Sequence, residues 1–211
     1  MNKQSQQVLN EMKKVINGKD DIIQTIWTTF LAGGHVLLED NPGVGKTTLA
    51  MAFSRVIGLD SKRIQFTPDL MPADVTGSSI FNPKSQEFQF RSGPIMSSMV
   101  LVDELNRATP RTQSALLEAM AEGQVSVDGN TYKLPEPFFL IATENPVESE
   151  GTFPLPEAQK DRFMMALSIG YPDLENEISI IEAQRSVNHP IENIKSCISS
   201  KDIVTCQNDV V

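Results

Sequence analysis

Apolar residues recur along this chain at two spacings, and the alternation between them lays out an architecture. At helical spacing, Val8, Leu9, Met12, Val15 and Ile16 share one face, and a break at Asn17-Gly18 separates them from a second face made of Ile22, Ile23, Ile26, Trp27, Phe30 and Leu31. Trp27, the single tryptophan, belongs to that stripe and is expected to pack, not to stack on a base. Leu49, Phe53, Val56 and Ile57 mark a third helix stopped by Gly58, and Leu116, Leu117 and Met120 a fourth, with Thr109-Pro110 as its cap. Pro172 opens a fifth with Leu174, Ile178 and Ile181, and residues 199–211 start another with Ser200 as cap. Between these lie short strand-like runs at residues 35–39, 63–67, 99–102, 138–142 and 164–169, of which 99–102 is continuously apolar in the manner of a parallel strand covered on both faces. Five such strands alternating with helices predict an α/β fold: a five-stranded parallel sheet, helices on both faces, right-handed crossovers. Two hairpins are inserted. One pairs Ile80-Phe81 with Phe88-Gln89-Phe90 around residues 82–85, and the other pairs residues 124–127 with 131–134 around Asp128-Gly129-Asn130.

The run LLEDNPGVGKTTLA, residues 37–50, places a glycine-bearing loop between a strand and a helix. That order suits a phosphate cradle formed by Asn41, Pro42, Gly43, Val44, Gly45, Lys46, Thr47 and Thr48. Gly43 and Gly45 allow backbone conformations that a side chain resists, Lys46 supplies a charge for the β- and γ-phosphates, and Thr47 a hydroxyl ligand for Mg²⁺. The helix that follows directs its unpaired amides and positive dipole end at the same anion. In the pattern G-x-x-x-x-G-K-[ST] the first glycine is here Asp40, while PGVGKT is intact.

Parallel sheets of this kind bind ligands beyond the carboxyl ends of their strands. Lys46, Asp103-Glu104 and Asn145 each follow the end of a different predicted strand, so three stretches converge on one rim. Adjacent carboxylates after a buried strand call for a cation or a proton to manage their charge. Asp103 suits Mg²⁺, opposite Thr47; Glu104 suits an attacking water; Asn145 suits that water or the γ-phosphate. This set fits phosphoryl transfer to water better than a kinase, for which no second small-substrate site is evident.

Composition narrows the partners. The 211 residues allow one sizeable core with a small appendage. With 18 basic and 27 acidic residues the net charge is −9, which repels a phosphate backbone and disfavours nucleic acid as a partner or a nucleic-acid motor as the function. No apolar run approaches the roughly 18 residues of a membrane span, and MNKQSQQ lacks the apolar centre of a secretory signal, so a cytoplasmic location is expected. Cys197 and Cys206 read as free thiols, and His35 and His189 as structural.

The stretches LLEDNPGVGKT, TPDLMPADVTG, LVDELNRA, RTQSALLEAM and ATENPVESEGTFPLPEAQKDRF together resemble the MoxR family of AAA+ ATPases over residues 15–170. The resemblance implies ATP and Mg²⁺ as ligands, Asp103-Glu104 as the Walker B pair, Asn145 as sensor 1 and Arg162 as an arginine finger acting in trans. From the residues alone, Arg162 reads as a surface salt-bridge partner of Asp161, and the resemblance reverses that reading. The hairpins near residues 79–90 and 125–133 correspond by resemblance to a helix-2 insert and a pre-sensor-1 hairpin. Also implied are residues 1–190 as an AAA+ core and 191–211 as the start of a C-terminal helical lid that breaks off at Val211. A homo-oligomeric ring, hexameric when the lid is present, would remodel a protein client, of which von Willebrand A domain proteins are one kind. The reading that competes with an ATPase is a nucleotide-binding interaction module, or fragment, with little hydrolysis.

Overall fold

Successive residues of the central strands point to opposite sides of one sheet, and this is what the continuous apolar runs encode. The computed structural model describes residues 3–41, 43–147, 151–172, 174–178 and 190–208. Pro42, Ile181 and His189, all singled out above, lie outside the described residues. In chain order the elements are α1 (Lys3–Lys13), α2 (Asp20–Leu31), β1 (Val36–Glu39), α3 (Lys46–Ile57), β2 (Ser61–Gln65), α4 (Pro72–Thr76), β3 (Gly77–Asn82) and β4 (Glu87–Ser92). They continue with β5 (Met99–Asp103), α5 (Pro110–Glu122), β6 (Gln124–Val127), β7 (Asn130–Lys133), β8 (Phe139–Glu144), α6 (Glu157–Lys160), β9 (Met165–Leu167) and α7 (Ser200–Asn208). Strands run in the order β2-β5-β8-β1-β9, every neighbouring pair parallel. The sheet is the five-stranded parallel one that the apolar runs predict.

Two cores sandwich it. Val36, Leu38, Met99, Leu101, Phe139 and Ile141 join α1, α2, α3 and α7 on one face. Their alternates Leu37, Val100, Val102, Leu140 and Ala142 join α5 on the other. Trp27 is 2% exposed, and an aromatic nest of Trp27, Phe30, Phe53 and Phe139, with centroids 5.0–6.3 Å apart, ties α2 and α3 to β8. Its role is packing. His35 sits at the bottom of β1 against Phe138, where its Nδ1 accepts the Leu140 amide at 3.2 Å. Burial draws its pKa down to about 4, against a weaker opposing backbone bond at Met120, so the ring stays neutral near pH 7.

Local departures from the sequence reading have local causes. The stretch between β2 and the first hairpin contains α4, a single helical turn with Pro72 at its start and Asp74 Oδ2 accepting the Met71 amide at 2.9 Å; five residues are too few to show a period. Strand β2 begins at Ser61, two residues before the expected start, because pairing with β5 runs from Ser61↔Met99 to Gln65↔Asp103. Phe66 turns into the core instead. Thr109 holds the N-cap position of α5 but makes no capping bond with its side chain. The cap of α7 is Ser199, not Ser200: its Oγ accepts the Asp202 amide, and the Asp202 carboxylate accepts the Ser199 amide, both at 3.3 Å.

Both hairpins form, as β3–β4 and β6–β7. In the second, Asp128 and Gly129 take φ of 50° and 79°, the two-residue turn that matches strand twist, and Asn130 opens β7. The neck of the first closes through Gly77, at φ 100°, and Gly93; a Cβ on Gly93 would stand 2.2 Å from the Val75 carbonyl. Phe90 of one hairpin stacks on Tyr132 of the other, centroids 3.9 Å apart and planes 13° from parallel. Farther out, Phe81 and Phe88 form a solvent-exposed aromatic pair.

Candidate active site

The register of the sheet brings Glu39 beside Glu144 and Gln65 beside Asp103, so the carboxyl ends of four strands finish along one rim. There a cavity of about 390 Å³ is lined by Gly43, Gly45, Lys46, Thr47 and Thr48 from the loop and α3. Arg63 and Gln65 of β2, Asp103-Glu104 at the end of β5, and Thr143 and Asn145 at the end of β8 complete the wall. The structure thus gathers eight of the residues read from sequence. Asn41 is exposed and Val44 packs against the core, so neither lines the cavity.

Gly43 and Gly45 adopt φ of 84° and 89°, and a Cβ on either would meet no protein atom within 4 Å. Their missing side chains leave bare backbone in the cavity wall at the start of α3, a surface suited to phosphate oxygens. The Lys46 ammonium is held by the carbonyls of Asp40 and Glu144, the latter at 3.0 Å. Burial lowers its pKa, opposed by the charges of Asp40, Glu104, Asp103 and Glu144.

The two carboxylates after β5 are held differently. Asp103 is 4% exposed; its Oδ1 accepts Thr47 Oγ1 at 3.3 Å and its Oδ2 accepts Arg63 Nε at 2.6 Å. A hydroxyl and a carboxylate oxygen facing each other across the mouth of α3 are a hard, oxygen-only donor set, which fits Mg²⁺. Glu104 leaves the strand in the left-handed region, φ 57° and ψ 52°, a conformation uncommon for a residue with a side chain. Its amide donates to Thr143 Oγ1 at 2.9 Å, and its Oε2 accepts both Gln65 Nε2 at 2.7 Å and Arg107 NH1 at 3.0 Å. The turn is thus fixed at both ends of the residue. Asn145 is buried; its carbonyl accepts Asn106 Nδ2 at 3.1 Å and its Oδ1 accepts the Val147 amide at 3.3 Å.

Arg162 is exposed and lies apart from this cavity. Its NH1 donates to the Leu117 carbonyl of α5 at 2.9 Å, and no ion pair joins it to Asp161. Two residues earlier, Lys160 reaches Glu39 at 2.5 Å and Glu144 at 3.3 Å, fastening α6 to the ends of β1 and β8. Burial pulls the Lys160 pKa down, but the bond to Glu39 and the charge of Glu144 outweigh it and raise the pKa. Asp40, 8% exposed, points away from the phosphate loop and accepts Ser168 Oγ at 2.8 Å and the amides of Ile169 and Gly170.

Sequence reasoning missed Arg63, Gln65, Arg107 and Thr143. A usable signal existed for the first two. Ile64 is the buried residue of β2, so its neighbours on either side share the opposite face at the strand's carboxyl end.

A parallel sheet with this loop after β1 and paired carboxylates after β5 defines a P-loop nucleotide-binding fold. Residues 35–165 match the model of the ATPase family associated with various cellular activities (AAA). The chain is 54% identical over 202 residues to YeaC of Bacillus subtilis (strain 168), covering 96% of this chain and 63% of YeaC. It is 44% identical over 197 residues to Chaperone MoxR1 of Mycobacterium tuberculosis, covering 93% of this chain and 52% of that protein. A crystal structure from Cytophaga hutchinsonii, described as a candidate ATPase, superposes with a TM-score of 0.87 at 40% identity, covering 98% of this chain and 62% of that one. The chain belongs to the MoxR family of AAA+ ATPases. It spans between half and two thirds of the length of these relatives. Among the described residues no helix is long and apolar enough to cross a membrane.

Proposed function

We propose that the chain binds ATP with Mg²⁺ and hydrolyses it, and that turnover drives remodelling of a protein client. The observation that carries this is the convergence of Lys46, Thr47, Asp103, Glu104 and Asn145 on one cavity at the carboxyl rim. Lys46 and the backbone of residues 43–48 hold the phosphates. Thr47 and Asp103 hold Mg²⁺, which when bound neutralises developing charge on the phosphoryl group. Glu104, locked in its turn by Thr143, accepts a proton from or orients the attacking water, and Asn145 orients that water or the γ-phosphate. Arg162, exposed and outside its own subunit's cavity, is read as a finger for a neighbour in a homo-oligomeric, hexameric ring. A relative named as a chaperone supports a protein client, and the family resemblance points to von Willebrand A domains as its kind.

Calorimetric titration with Mg·ATP, run beside a phosphate-release assay, tests the site. Lys46→Ala should abolish binding; unchanged affinity removes the phosphate-cradle assignment. Glu104→Gln should bind normally and lose turnover, because the amide keeps the shape and cannot take a proton. Parental turnover in that variant moves the catalytic role elsewhere. If the parent binds ATP but releases no phosphate at any protein concentration, the interaction-module reading replaces the enzyme. In the trans arrangement, release per chain rises with concentration and Arg162→Ala suppresses the rise.

A further inference from the structure

Asp103 is the carboxylate assigned to the metal, and its two oxygens are not equivalent. Thr47 Oγ1 lies 3.3 Å from Oδ1, on the side of the phosphate loop, while Arg63 Nε lies 2.6 Å from Oδ2, on the side of the sheet edge. Arg63 belongs to β2, which among the described residues pairs only with β5, and its side chain is half exposed while that of Asp103 is buried. The bond is charge-assisted and short. Gln65, two residues on and on the same face of the strand, holds Glu104 in the same way.

We propose that Arg63 is a positioning residue that sets metal specificity: by occupying Oδ2 it leaves Asp103 a single oxygen to offer, which suits Mg²⁺ and handicaps Ca²⁺. Mg²⁺ needs a small octahedral shell and takes carboxylates through one oxygen, whereas Ca²⁺ accepts six to eight oxygens and gains from a bidentate carboxylate. With Oδ2 committed to a guanidinium from the neighbouring strand, rotation of the Asp103 carboxylate toward bidentate contact costs its charge-assisted bond to Arg63. The positive charge of Arg63 repels both ions alike. Its effect on their ratio therefore comes from geometry.

This inference rests on the metal assignment in the proposed function, and its test is built to fail separately. A fluorescent ADP analogue is titrated onto the protein in EDTA, in Mg²⁺ and in Ca²⁺, for the parent, Arg63→Met and Arg63→Lys. The parent should prefer Mg²⁺, and both variants should lose roughly tenfold of the Mg²⁺ to Ca²⁺ preference, the scale on which partners of metal ligands act. Arg63 lines the nucleotide cavity, so some affinity is lost in EDTA as well; that loss should be smaller than the loss in Mg²⁺. Arg63→Lys keeps the charge without the side-on Nε donor, so a parental ratio in that variant shows that charge alone suffices and overturns the proposal. An unchanged ratio in Arg63→Met overturns it too, as does a loss in EDTA equal to the loss in Mg²⁺, which makes Arg63 a phosphate ligand. A parent that binds no nucleotide in any of the three conditions refutes the proposed function instead. The side chain is half exposed on an edge strand, and circular dichroism of both variants verifies that the fold is retained.

Discussion

Asp40 stands where the phosphate-loop pattern has glycine, and its carboxylate explains the exchange. It receives Ser168 Oγ and two backbone amides from the segment after β9, so it clips the sheet's last strand to the loop between β1 and α3. Restoring the pattern with Asp40→Gly should therefore destabilise the protein. The buried Ile169 amide would lose its acceptor, at about 1–3 kcal/mol for an unsatisfied buried donor, and glycine adds unfolded-state freedom worth up to about 1 kcal/mol. Urea unfolding should give a total loss of roughly 1–4 kcal/mol; a change below about 0.5 kcal/mol would show that the clip carries no stability. The departure at residue 40 was legible in the sequence, and its partners were not. They lie some 130 positions further along, and nothing in Ser168-Ile169-Gly170 marks them as donors in search of an acceptor. The reverse holds for Lys46, Thr47, Asp103 and Glu104, which line one cavity and whose proposed roles sit in contiguous motifs. Arg63 and Gln65 fall between these cases, since strand alternation was readable but the expected strand ran on to Thr67 and so misplaced the carboxyl end of β2 by two residues.

Elements with strong punctuation were the most legible. Asp128-Gly129 forces a tight reversal by itself, and the apolar runs of β5 and β8 need no context to read as buried strands. The single turn of α4 had no period to display, and the cap of α7 slipped by one because Ser199 and Ser200 are adjacent candidates. What lies between elements was illegible: each hairpin was predicted alone, and only the fold puts Phe90 on Tyr132. That stack joins the hairpin that precedes β5 to the hairpin that precedes β8. A double-mutant cycle of Phe90→Ala and Tyr132→Ala by thermal or urea unfolding should return a coupling of about 0.5–1.5 kcal/mol, as for aromatic pairs generally. Strict additivity of the two losses would mean that the hairpins are independent.

At the scale of the whole molecule, parallel strands feeding one rim made the site legible before any side chain was placed, because chemistry at three strand ends has to meet. The same topology leaves two open borders. On one, β9 is only three residues long. On the other, β2 runs five residues with one row of amides and carbonyls unpaired by the sheet, the kind of border on which a second chain can add a strand. Lys62 and Arg63 stand exposed on it. Cations along an open strand discourage sideways growth, so the arginine that orients Asp103 also guards solubility. A chain carrying both Lys62→Val and Arg63→Met should scatter light at a lower temperature on heating than either single variant, with onset falling as concentration rises; equal onsets would mean that this border is protected by something else.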